Sequence, residues 1–210
     1  CRYCFRRHFP YYQHNTNTPA VLQYLNRHPE IDEIILSGGD PLMLHDQAIE
    51  KLISQLERAE HIQRLRIHTR LPTLIKERIT PKLIDTLNST RFQLYMVLHI
   101  NHPNEIDEEI GNTLQSLLPK TRLYNQSVLL RGVNDSAEVL KELSLQLLRW
   151  NIQPYYLHQL DNVKGTEHFR VPLAEAQKIY REFQSITSGY AVPKWVKESP
   201  YVPHKSQLVD

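Results

Sequence analysis

The chain has 210 residues, 40% hydrophobic and 23% charged, enough for one well-buried domain of ordinary soluble composition. Twenty-five basic residues against twenty-three acidic ones leave a formal charge of +2, which argues against a dedicated nucleic-acid surface and for small or weakly charged partners. No run reaches the length of a membrane helix and the first residues lack the apolar core of a signal peptide, so a cytoplasmic location without membrane partners is expected.

The chain opens on Cys1-Arg2-Tyr3-Cys4-Phe5-Arg6-Arg7, and both of its cysteines lie in this one Cys-x-x-Cys. That usage argues against a disulfide framework and for metal or redox chemistry in a reducing compartment. Thiolates at this spacing reach one soft metal centre, and the pair suits a zinc half-site, a redox couple or an iron–sulfur cluster. No second Cys-x-x-Cys completes a zinc site, and no thioredoxin-like tail follows. A two-cysteine half-site is incomplete for a cluster, so further ligands are expected upstream and the chain is expected to be a fragment. Arg6 and Arg7 read either as a solvated basic face or as guanidinium groups that hold a substrate carboxylate.

Helix-like and strand-like stretches then alternate. Thr18-Pro19 predicts a capped helix with Val21, Leu22 and Leu25 on one face. A strand is expected over Glu33–Ser37, then the turn Ser37-Gly38-Gly39-Asp40-Pro41, then a helix over Asp46–Leu56 with Ile49, Leu52, Ile53 and Leu56 at helical spacing. Strand Leu65–Ile67 leads to Thr80-Pro81 and another capped helix. Strand Gln93–His99, helix Asp107–Leu118, strand Ser127–Leu130, helix Ser136–Trp150, strand Gln153–His158 and helix Pro172–Phe183 follow, about five β/α units in all. After Tyr190 the pattern stops, and Pro193, Pro200 and Pro203 predict a loop-rich tail.

Short strands separated by helices call for right-handed crossovers and a parallel sheet, with ligands at the carboxyl ends of the strands. Polar residues fall there: Ser37–Asp40, His68–Arg70, His99–His102, Arg131–Asp135 and His158–Asp161. Because every strand tip is polar, a partial or full barrel fits better than a doubly wound sheet. The Gly38-Gly39 pair reads either as a plain strand-ending turn or as a place where backbone approaches a ligand. Neither Gly-x-Gly-x-x-Gly nor a Walker pattern is present, so those nucleotide routes have no support. Asp161 and Glu198 taken singly read as surface carboxylates, and taken together they suit a substrate ammonium. Lys205 alone reads as a surface lysine, and the histidines at 99, 102 and 158 as polar strand-end residues.

Taken together, these stretches resemble the lysine 2,3-aminomutase family of radical S-adenosylmethionine enzymes from Cys1 to Lys205. Cys1-Arg2-Tyr3-Cys4-Phe5-Arg6-Arg7 looks like the second half of the family's Cys-x-x-x-Cys-x-x-Cys loop. Ile35-Leu36-Ser37-Gly38-Gly39-Asp40-Pro41-Leu42, Asn101-His102-Pro103-Asn104-Glu105-Ile106, Asn125-Gln126-Ser127-Val128-Leu129-Leu130-Arg131-Gly132-Val133-Asn134-Asp135 and Ser188-Gly189-Tyr190-Ala191-Val192-Pro193 follow in family order. The resemblance implies a partial (β/α) barrel of the radical SAM type, with parallel strands, outer helices, a core over 1–187 that lacks its first strand and first cluster cysteine, and a pyridoxal phosphate-binding tail over 188–210.

Carried over by motif, Cys1 and Cys4 would ligate a 4Fe-4S cluster. Ser37, Gly38, Gly39, Asp40, His99 and Gln126 would hold S-adenosylmethionine. Arg6 would bind the carboxylate of L-lysine, Asp161 and Glu198 its distal ammonium, and Lys205 would form an imine with pyridoxal phosphate. Two departures stand out: Ser199-Pro200-Tyr201-Val202-Pro203-His204 replaces the glycine run before that lysine, and His158 replaces a tyrosine. With Phe5-Arg6-Arg7-His8-Phe9-Pro10-Tyr11 and the short C-terminus, they are similar to the branch that makes (R)-β-lysine for elongation factor P. Shifting an amino group to the next carbon requires breaking an unactivated C–H bond, beyond any side-chain base at neutral pH, so a radical source and an electron donor such as flavodoxin or ferredoxin are implied. The alternatives are a free-standing metabolic aminomutase and, from another class, a zinc-binding non-enzymatic α/β module.

Overall fold

In the computed structural model, which describes residues 1–4, 6, 18–198, 202 and 204–208, the helix starts follow local chemistry. Thr80 Oγ1 accepts the Leu83 N–H at 3.0 Å with Pro81 at the first helical position, and Ser136 Oγ accepts the Val139 N–H at 3.3 Å. Both hydroxyls satisfy donors that the first turn leaves unpaired. The elements are α1 (Thr18–Arg27), β1 (Glu33–Leu36), α2 (Asp46–Leu56), β2 (Arg64–Thr69), α3 (Pro81–Ser89), β3 (Gln93–Leu98), α4 (Glu108–Gln115), β4 (Thr121–Val128), α5 (Ala137–Arg149), β5 (Ile152–His158), α6 (Leu173–Ser185), β6 (Lys194–Lys197) and β7 (Ser206–Gln207). The strand order follows chain order from β1 to β7. β1 pairs in parallel with β2, and β5 with β6.

The chain divides into two compact units: Cys1–His8, Leu98–Asp107 and Tyr124–Asp210 form one, and Phe9–Val97 with Glu108–Leu123 the other. In the second, β2 alternates half-buried and buried residues, and its inward Leu65 and Ile67 are closed off from water. Ile49, Ile53 and Leu56 of α2 and Leu83 and Leu87 of α3 are buried too, the helical spacing that a one-faced apolar stripe requires. The first unit is centred on Leu129, Leu140, Leu157, Tyr180, Phe183 and Trp195. Tyr180 also donates to the Pro193 carbonyl at 2.9 Å, so its hydroxyl is satisfied inside that core.

Two expectations need correction. The strand expected at Ser127–Leu130 is β4, which begins at Thr121 and ends at Val128. Its inward side carries Thr121, Asn125 and Ser127 besides Leu123, so polar residues break the apolar alternation. The tail after Tyr190 is not all loop. β6 buries Trp195 and Val196 beside β5, and β7 returns antiparallel, so the sheet is not wholly parallel. A four-residue strand flanked by prolines is too short to show a period. Phe5, Arg7–Tyr11, Ser199–Tyr201 and Pro203 lie outside the described residues.

Candidate functional site

The Ser37–Asp40 turn belongs to the second unit. Gly38 takes φ 116°, a conformation that side chains resist, so a glycine is required there by the backbone itself. Gly39 is different, since a Cβ on it would meet nothing within 4 Å. The fold does not demand that glycine, and the open space beside it suits a close ligand. Asp40 is occupied structurally: its carboxylate accepts Leu42 N–H at 3.0 Å, Thr69 Oγ1 at 2.7 Å, Arg70 N–H at 2.7 Å and Leu71 N–H at 3.1 Å. The last three of these bonds tie the turn after β1 to the end of β2 and the turn that follows it.

In the first unit, the Cys4 N–H donates to the Cys1 carbonyl at 3.2 Å, closing a turn that starts and ends on the two free cysteines. Cys1 is exposed and Cys4 half-buried. Tyr3 between them accepts a hydrogen bond from Asn101 Nδ2 at 2.5 Å, and its ring meets Phe169 edge-on at 6.5 Å. Asn101 is itself fixed: Val128 N–H donates to its Oδ1 at 2.8 Å and Asn134 Nδ2 to its carbonyl at 2.9 Å. Asn125 bonds both backbone groups of Ile100, at 2.8 and 3.0 Å. Buried amides of this kind are tolerable only when fully partnered. Asn101, Asn125 and Asn134 thus hold the strand ends to which the cysteine turn is anchored, a role that sequence reasoning left unassigned because each reads as an ordinary loop residue.

Gln126 Nε2 lies 3.0 Å from His99 Nε2, so the two cosubstrate candidates of this unit are neighbours. The carboxyl ends of β5 and β6 gather the others. Lys197 faces Ser206 across the β6–β7 pair, which sets Glu198 opposite Lys205, and these two form an ion pair. The Lys205 ammonium also lies 5.7 Å from the Tyr156 ring centroid, close enough for cation–π attraction. Burial raises the Asp161 pKa, and the Glu198 charge raises it further against the pull of Lys205. Burial also works to raise Glu198, but its hydrogen bond and attraction to Lys205 prevail and hold it low, with Arg6 adding to the effect. His158 is pushed down to about 4, chiefly by burial and then by the Lys205 charge. It is therefore a neutral imidazole at physiological pH, and its buried Nε2 has no hydrogen-bond partner among the described residues.

Lys205, Glu198, Asp161 and His158 thus share one electrostatic neighbourhood, within reach of Arg6. A primary amine, two carboxylates and a neutral imidazole with an unused nitrogen suit a carbonyl cofactor and a cationic substrate. Tyr156 was absent from the sequence candidates, although alternation along β5 places it on the same side as His158. Among the described residues, no group of three or more His, Cys, Asp or Glu side chains is arranged to hold a metal ion, and no helix is long and apolar enough to cross a membrane.

Two solved structures share this architecture. A radical SAM methyltransferase from Sphaerobacter thermophilus matches with TM-score 0.58 and 16% identity, over 86% of this chain and 56% of its own. Streptococcus suis SuiB bound to S-adenosylmethionine matches with TM-score 0.65 and 16% identity, over 96% and 48%. The fold is therefore the radical SAM α/β fold, a partial (β/α) barrel. No protein-family model matches the chain. The L-lysine 2,3-aminomutase of Haemophilus influenzae is 51% identical over 98% of this chain, that of Escherichia coli 48% over 99%, and that of Clostridium subterminale 38% over 95%. The chain belongs to the lysine 2,3-aminomutase family. It spans 62% of the length of the first two relatives and 49% of the third.

Proposed function

We propose that this chain carries the core of a radical SAM, pyridoxal phosphate-dependent aminomutase that converts L-lysine to β-lysine, the (R) isomer destined for elongation factor P. The carrying observation is the meeting of Lys205, Glu198, Asp161 and His158 at the carboxyl ends of β5 and β6, in a chain 51% identical to an L-lysine 2,3-aminomutase. In this reading Cys1 and Cys4 hold the 4Fe-4S cluster, and their shared turn fits two thiolates on one metal centre. We assign Ser37, Gly38, Gly39 and Asp40, and separately His99 and Gln126, to S-adenosylmethionine. Asp40 acts there by shaping the turn, since its carboxylate is already engaged.

When bound, the cluster and S-adenosylmethionine supply a radical able to break an unactivated C–H bond, and pyridoxal phosphate supplies the carbonyl that carries the migrating amine. The residues of the chain do the rest. Arg6 pairs with the substrate carboxylate, while Asp161 and Glu198 take the distal ammonium, so amino acids of the wrong length leave a charge unpaired. Neutral His158 offers its free nitrogen as a hydrogen-bond partner without adding a competing cation. The core over 1–187, the cofactor tail over 188–210, a flavodoxin- or ferredoxin-like electron donor and a cytoplasmic setting beside the elongation factor P lysylation enzyme belong to the same proposal. The sequence of the Phe5–Tyr11 stretch and of the tail supports the elongation factor branch.

The test is anaerobic reconstitution of the whole protein with iron, sulfide, S-adenosylmethionine, pyridoxal phosphate and a reductant, followed by chiral analysis of lysine products. β-Lysine is expected, and borohydride reduction with peptide mapping is expected to place the pyridoxyl group on Lys205. S-adenosylmethionine cleavage without amine migration, or a label on Lys194 or Lys197, overturns the reading.

A further inference from the structure

Resting on that reading, we propose that Asn101 is a positioning residue for the reaction: through the Tyr3 hydroxyl it fixes the cysteine turn, which would hold the cluster, against the His99–Gln126 pair, which would hold S-adenosylmethionine. The cosubstrate would then meet both of its holders in one preset geometry.

Asn101 is buried in the first unit, and its polar groups reach four partners of that same unit. Its N–H donates to Glu105 Oε1 at 2.9 Å, its carbonyl accepts Asn134 Nδ2 at 2.9 Å, its Oδ1 accepts the Val128 N–H at 2.8 Å and its Nδ2 donates to the Tyr3 hydroxyl at 2.5 Å. Asn101 lies two residues beyond His99, and Val128 two residues beyond Gln126. The Oδ1 bond therefore ties together the two segments whose His99 and Gln126 side chains meet at 3.0 Å. The Nδ2 bond crosses from there to the turn between the cysteines. Both residues that separate Cys1 from Cys4 are gripped from outside that turn. The Tyr3 ring meets Phe169 edge-on, while the Arg2 guanidinium lies 5.3 Å from the Phe169 ring centroid with its Nη2 3.4 Å from His168 Nε2. Packing on Phe169 uses only the ring of Tyr3, and a phenylalanine would serve it as well. The hydroxyl is what joins the turn to Asn101. A ligand that touches two holders binds best when their spacing is fixed beforehand, because a loose turn must be ordered at the moment of binding.

The test uses the whole protein, reconstituted anaerobically with iron and sulfide. It reads S-adenosylmethionine affinity calorimetrically on the oxidised cluster, and the electron paramagnetic resonance change that S-adenosylmethionine induces in the reduced one. Tyr3→Phe is expected to load iron as the wild type does and to keep the thermal midpoint of the metal-free protein. It is nevertheless expected to bind S-adenosylmethionine about fivefold more weakly, the order that one net hydrogen bond contributes, with a smaller spectral change at the same cosubstrate concentration. Asn101→Ala is expected to weaken binding at least as much. The two changes together are expected to weaken it by less than the product of their separate effects, because they break one shared contact. A Tyr3→Phe protein that binds like the wild type, loses iron or melts early overturns the proposal, and so does a double variant whose losses multiply; Tyr3→Phe decides if Asn101→Ala does not fold. A wild type that loads iron but binds no S-adenosylmethionine overturns the assigned reaction and this proposal with it, whereas wild-type binding that Tyr3→Phe leaves unchanged overturns this proposal alone.

Discussion

Asp161 is half-buried, and its ionised form is penalised first by burial and then by Glu198, so an incoming cation that pairs with it would stabilise that form. Asp161→Ala is expected to lower kcat/KM for lysine by about 2–5 kcal/mol while sparing uncoupled S-adenosylmethionine cleavage, because in the proposed site the carboxylate meets substrate and not the cluster. Product formation and deoxyadenosine release, measured side by side, check this; equal loss of both removes Asp161 from the substrate site. His158 makes a stability prediction. Its folded pKa is about 4 against an ordinary 6.5, so below pH 6.5 the unfolded chain takes up a proton that the folded chain refuses. The unfolded state binds more protons in that window, and stability therefore falls as pH drops from about 6.5 toward 4. His158→Gln is expected to flatten the part of this fall that belongs to the imidazole, read as the difference in urea midpoint between pH 7 and pH 5. An unchanged pH slope would mean that His158 titrates normally.

At the scale of elements, what matters is how strand ends are joined to the next turn. Asp40 serves the turn after β1 by accepting two backbone N–H groups from the turn after β2, Arg70 at 2.7 Å and Leu71 at 3.1 Å. Asp40→Ala leaves those donors unpaired and is expected to destabilise the chain by about 2 kcal/mol or more. Asp40→Asn is expected to recover little, since its amide end cannot accept from an N–H. Chemical denaturation of both variants decides, and a carboxamide that restores stability would show the charge and both oxygens to be unnecessary. The β6–β7 pair works the same way at the other end of the chain. Trp195 is 1% exposed and packs near Tyr180 with ring centroids 5.5 Å apart, so core packing holds the strand that places Glu198.

For the whole molecule, net charge is small, and ion pairs such as Lys82 with Glu50 at 2.8 Å lie on the surface, where they add little. Stability rests instead on two apolar cores, one in each unit, and on buried amides such as Asn134, which is closed off from water. The cysteine turn contributes to neither core, since Cys1 is exposed and Cys4 only half-buried. Cys1→Ser with Cys4→Ser is therefore expected to abolish iron binding on anaerobic reconstitution while leaving the far-UV circular dichroism spectrum and thermal midpoint of the metal-free protein unchanged. A metal-free double variant that melts early would show that the thiols also serve packing.

The helices were legible because their signals are local: Thr80-Pro81 and Ser136 name their own caps, and α2 repeats its apolar residues at helical spacing. The Cys-x-x-Cys and Gly-Gly segments likewise declare their chemistry within a few residues. The family was legible because many such segments recur in one order, a property of the linear chain alone. Strand β4 was blurred because Asn125 and Ser127 face inward, where their bonds to the Ile100 backbone and to each other satisfy the buried polar groups. Strand β6 was hidden by brevity and flanking prolines, and its burial depends on Tyr180 and Phe183, which lie earlier in the chain. The pairing of Lys205 with Glu198 was decided by tertiary structure, because the antiparallel register of β7 sets which residues face each other. The low His158 pKa was decided there too, since desolvation and a neighbouring ammonium come from residues that packing assembles around the ring.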